Sequence, residues 1–86
     1  MNDEKKAFSI EIEEGDSVYY KFFEDDFKNA EERADEFVQK GTAYSALIYD
    51  TEDLVELIKW DENLDQIVYI LTSYGKFKGY DIVKPE

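Results

Sequence analysis

Apolar and polar positions alternate along Ala7–Glu13, with Phe8, Ile10 and Ile12 on one side and Ser9, Glu11 and Glu13 on the other. A period of two predicts a half-buried strand. Glu14-Gly15-Asp16 is a turn signal, and Gly15 is free to take a positive φ. Ser17–Phe23, reading SVYYKFF, is rich in the β-branched and aromatic residues that suit a second strand. The short connection predicts an antiparallel hairpin. The period then changes. Across Glu24–Gly41 the apolar residues Phe27, Ala30, Ala34, Phe37 and Val38 recur at helical spacing. Asp25 or Asp26 suits the start of this helix, at the positive end of its dipole. Gly41 after Lys40 suits a left-handed C-terminal cap.

Thr42–Tyr49 (TAYSALIY) is apolar on both faces and predicts a central third strand. Leu54–Trp60 (LVELIKW) fits a fourth strand after a hairpin turn at Asp50–Asp53, or a short helix capped by the same acids. We assign the strand. Gln66–Tyr74 (QIVYILTSY) carries the same ambiguity, with Gly75 as the cap of the helical alternative. Its β-branched and aromatic density favours a strand. Phe77–Val83 then returns as an edge strand weakened by Gly79. The expected fold is α+β, in one domain spanning residues 1–86, with residues 1–6 and 84–86 frayed. An antiparallel sheet of four to six strands is covered on one face by the helix. The order opens β-β-α-β-β, and a second helix within 51–74 is the alternative.

Composition narrows the function more than the fold. The chain has 22 acidic and 10 basic residues and a formal net charge of −12. Such a charge repels nucleic acid and anionic membranes and favours basic partners. There is no Cys and no His. Disulfides, thiolate zinc sites, cysteine nucleophiles and histidine general bases are therefore excluded. No run approaches the roughly 20 apolar residues of a membrane span, and the start lacks a signal-peptide pattern. A soluble cytoplasmic protein is the expectation.

The acids are unevenly placed. Residues 1–65 hold 20 acids and 7 bases, whereas residues 66–86 hold two acids and three bases. One cluster lies on the helix, where Glu31, Glu32, Asp35 and Glu36 fall outside the apolar stripe, with Asp25 and Asp26 before them. A second includes Asp50, Glu52 and Asp53. Glu31 and Asp35, like Glu32 and Glu36, lie one turn apart, about 5.4 Å along the axis. Phosphates on one DNA strand rise by about 3.4 Å per nucleotide. These nine carboxylates can therefore stand in for phosphates before Lys and Arg, and Glu31, Glu32, Asp35 and Glu36, outside the apolar stripe, are expected to be exposed. The plainer account is a solubilising surface. No EF-hand loop, glycine-rich phosphate loop or activated serine is present, so neither a metal, a cofactor nor a catalytic residue is expected.

In size, charge, lack of Cys and His, and the carboxylates of Glu24–Gly41 and Asp50–Asp65, the chain resembles small acidic inhibitors encoded by phages and mobile elements, of the DNA-mimic and anti-CRISPR type. The resemblance implies a non-enzymatic inhibitor of a nuclease or other nucleic-acid-binding protein, with no direct contact to nucleic acid. The alternative is a protein-interaction module, homodimeric in one form, that uses a sheet edge with exposed tyrosines and Trp60.

Overall fold

The computed structural model describes residues 6–80. Seven elements follow one another: β1 (Phe8–Glu14), β2 (Ser17–Glu24), α1 (Phe27–Phe37), β3 (Tyr44–Asp50), β4 (Asp53–Asp61), β5 (Gln66–Leu71) and α2 (Ser73–Lys78). The strands form one sheet in the order β2-β1-β3-β4-β5, every neighbouring pair antiparallel. This is the α+β domain expected. β4 is the strand assigned over Leu54–Trp60.

α1 lies on one face of the sheet. Ile10, Ile12, Ala46, Ile48 and Ile58 point into the core from the three middle strands, and Ala30, Ala34 and Val38 meet them from the helical side. Phe37 is half-buried and stacks on Phe22, with centroids 6.1 Å apart. The helix is shorter than its predicted span. Glu24 remains in β2, and Asp26 takes the N-cap position with extended backbone and no side-chain capping bond. Val38 also leaves helical geometry, at φ −92° and ψ 97°, and is completely buried. Gly41 does have a positive φ, but in a separate turn where Thr42 N–H donates to the Gln39 carbonyl.

The C-terminal part differs more. β5 stops at Leu71 and the chain turns into α2, so no edge strand begins at Phe77, which is 87% exposed. The cause is local. Thr72 Oγ1 accepts from Gly75 N–H and caps the new helix, and Gly79 at φ +81° closes it. Gly75 permits the close approach to the sheet, because a Cβ there would sit 2.8 Å from the Val55 carbonyl oxygen. Residues 81–83 of the expected edge strand, and the chain ends expected to fray except Lys6, lie outside the described residues.

Two bulges break strict alternation, at Ile12/Glu13 against β2 and at Ile48/Tyr49 against β4. The first leaves both Tyr19 and Tyr20 exposed, where simple alternation sends only one outward. The second lets the adjacent Val55 and Glu56 both be buried.

Candidate functional site

Strand register gathers the two acidic segments at one end of the sheet. Glu24 pairs with Phe8, Phe8 with Asp50, and Asp50 with Asp53, which makes one row across four strands. Asp25 and Asp26 follow Glu24 at the start of α1, and Glu52 sits at the tip of the β3–β4 turn. Asp25, Asp26, Glu52 and Asp53 are exposed. Asp50 is half-buried and already engaged. Its Oδ2 accepts from the Tyr80 hydroxyl at 2.9 Å and from the Tyr74 hydroxyl at 3.2 Å. Burial, reinforced by the bond to Asp50, pushes the Tyr80 hydroxyl up to about 12. Burial raises Tyr74 as well. Glu24 is neutralised by the Arg33 guanidinium, which lies over the Phe22 ring at 4.1 Å.

The helix does not present all four of its expected carboxylates. Glu32 and Glu36 are exposed. Glu31 is not: only 1% of it reaches solvent. Phe27, Glu31, Ala34 and Val38 follow i, i+4, i+7, i+11 spacing, so Glu31 belongs to the inward stripe despite its charge. Asp35 is half-buried and accepts a hydrogen bond from the Tyr69 hydroxyl of β5. Burial pushes that hydroxyl strongly upward, helped by the bond to Asp35.

Under the helix, Glu56 of β4 is completely buried. Neither of its carboxyl oxygens meets a hydrogen-bond donor. Burial, then hydrogen bonding and like-charge repulsion with Glu31, push its carboxyl up to about 10. Burial beside Glu31 therefore favours the neutral form of Glu56 at pH 7. Nothing in the linear sequence except the 27–31–34–38 spacing points to this pair. Glu56 looks outward by its charge, but it is in phase with the buried Ile58 and opposite the buried Ile48, and the bulge accounts for its neighbour Val55.

The arrangement thus separates two kinds of carboxylate. Asp25, Asp26, Glu32, Glu36, Glu52 and Asp53 are free to meet a partner. Glu31, Asp35, Asp50 and Glu56 are committed to internal contacts. Trp60 is half-buried, with Lys40 Nζ 5.9 Å from its ring. Among the described residues, no group of three or more acidic side chains converges as a metal site, and no helix is long and apolar enough to cross a membrane. Comparison with protein-family models, curated proteins and solved structures finds no match.

Proposed function

We propose that this chain is a non-enzymatic acidic inhibitor, which binds a nucleic-acid-binding protein by offering carboxylates where that protein expects phosphates. The observation that supports this reading is the cross-strand row from Glu24 to Asp53. It places Asp25, Asp26, Glu52 and Asp53 at one end of the molecule, while Glu32 and Glu36 extend the acidic surface along α1. Lysines and arginines arranged along a nucleic-acid channel are drawn to such a surface by long-range attraction and then held by charge-assisted hydrogen bonds. The two most buried carboxyls, Glu31 and Glu56, are shut away from any substrate.

The test replaces the six exposed acids by their amides: Asp25, Asp26 and Asp53 by Asn, and Glu32, Glu36 and Glu52 by Gln. Partner capture from a host lysate is then compared for parent and variant, with competition by added DNA or RNA. Capture that is lost in the variant, displaced by nucleic acid and weakened steeply by salt supports the proposal. Equal capture by parent and variant at low salt rejects it.

A further inference from the structure

Among the described residues, nothing covers the face of the sheet opposite α1. Leu47, Tyr49, Leu57 and Val68 are half-buried and Ile70 is 44% exposed, and none of them packs against the core. Their shared face follows from the register, which aligns Leu47 with Leu57 and Leu57 with Ile70, and Lys59 with Val68. Tyr49 lies on the same face by its pairing with Ser9, and burial, then the nearby Glu11 and Glu13 carboxylates, raise its hydroxyl.

We infer that this face is the interface of a symmetric homodimer, with the two-fold axis running along β3. The argument is one of self-complementarity. Ser45 pairs with Glu13 on one side and with Lys59 on the other. Rotation about an axis along β3 exchanges the two sides. It lays Glu13 of each copy over Lys59 of the other, twice, and lays Leu47 and Tyr49 over their own counterparts. A two-fold interface requires this kind of self-matching patch. Glu13 and Lys59 have no ion-pair partner among the described residues of their own chain. Two further acids share this face: Glu11 is held by Lys21 at 3.8 Å, and Asp61 accepts from the backbone N–H groups of Asn63 and Leu64.

Charge selects the same occupant. A chain of net charge −12 repels its own copy at both acidic ends and along the outer helix, but this face is close to balance, with Lys21 and Lys59 set among Glu11, Glu13 and Asp61. Size is adequate too. Five strands at about 4.8 Å spacing and about 3.3 Å rise per residue give a face roughly 20 Å square. Two such faces bury on the order of 800 Å², the low end of the interface range, which suits a weak, concentration-dependent dimer. Sheets packed in this way cross at about −30°, which keeps the central residues aligned. The dimer leaves the acidic end and α1 of both copies exposed, so it stands independently of the proposed partner.

The test uses the full chain alone, by sedimentation equilibrium from micromolar to millimolar concentration, with circular dichroism and thermal melting as folding controls. The parent is expected to dimerise. Leu47→Asp, on the axis, should abolish association. Glu13→Lys and Lys59→Glu should each weaken it at least ten-fold, and the double swap should restore it. A parent that remains monomeric at millimolar concentration overturns the inference. So does a folded Leu47→Asp variant that still dimerises. A double swap no tighter than the single swaps overturns the axis along β3. Because no partner is added, the outcome does not depend on whether the inhibitor proposal holds.

Discussion

Glu56 of β4 and Glu31 of α1 share one buried site, and burial with that neighbour holds the Glu56 carboxyl protonated up to a pH of about 10. Its ordinary value is 4.5. Between those limits the folded chain keeps a proton that the unfolded chain has released. Glu56 therefore contributes fully to stability below about pH 4.5, and that contribution is lost as pH rises toward 10. The slope for one such group is at most about 1.4 kcal/mol per pH unit. Urea denaturation at pH 6 and pH 9 should show the parent markedly weaker at pH 9. Glu56→Gln, which keeps the shape without the titration, should flatten that difference. Parallel curves for parent and variant would sink the assignment.

Asp50 ties the end of β3 to the C-terminal segment through the hydroxyls of Tyr74 and Tyr80. Asp50→Ala leaves both hydroxyls without their acceptor and should cost about 1–3 kcal/mol. Asp50→Asn keeps an acceptor and should cost less. Hydrogen exchange should speed up in Ser73–Lys78 before it does in α1. Uniform acceleration in both helices would argue against a local tether.

Thr51 has a φ of 62° in the two-residue turn between β3 and β4. That conformation crowds a β-branched side chain and costs roughly 1–2 kcal/mol. Asn tolerates it better, so Thr51→Asn should stabilise the fold by about 0.5–1 kcal/mol. A higher denaturation midpoint at unchanged slope is the expected result, and an unchanged midpoint would rule out strain at this turn.

The outer helix face and the buried pair separate cleanly by mutation. Replacing Glu32 and Glu36 together by Gln should change stability by no more than about 0.5 kcal/mol, because both are exposed. Glu31→Gln should instead alter the pH dependence set by Glu56. If Glu31→Gln leaves the pH profile of unfolding untouched, the two carboxyls are not coupled.

What the sequence made legible, and what it hid, follows from the range of the forces involved. The first three strands and α1 rest on local pattern and composition, which survive tertiary packing, whereas Leu54–Trp60 fitted a helix as well as the strand it forms. Ser73–Lys78 was obscured because Phe77, which suits a strand, is in fact solvent-exposed, while the decisive residues are the small ones, Thr72, Gly75 and Gly79. Assigning acids to the outside by charge alone misplaced Glu31, although its spacing from Phe27 and Ala34 sets it in the buried stripe. The joining of Asp25 and Asp26 to Asp50, Glu52 and Asp53 depends on strand register, which no local window carries. The mixing of Lys21 and Lys59 with Glu11, Glu13 and Asp61 on the sheet face opposite α1 depends on it as well.

The strand order has a consequence for biosynthesis. β2 and β3 flank β1 without touching each other, so the earliest synthesised of these five strands becomes the seam of the finished sheet. It can pair at once with β2, but its other edge stays open until α1 and the following turn have been made and β3 arrives. Exposed backbone donors and acceptors on such an edge invite pairing with other chains. Glu11 and Glu13 lie along that strand, and like charges beside an open edge disfavour its pairing with another copy. Truncation that removes β1 would separate β2 from the remaining β3-β4-β5 sheet, whereas loss of α2 would spare all four ladders.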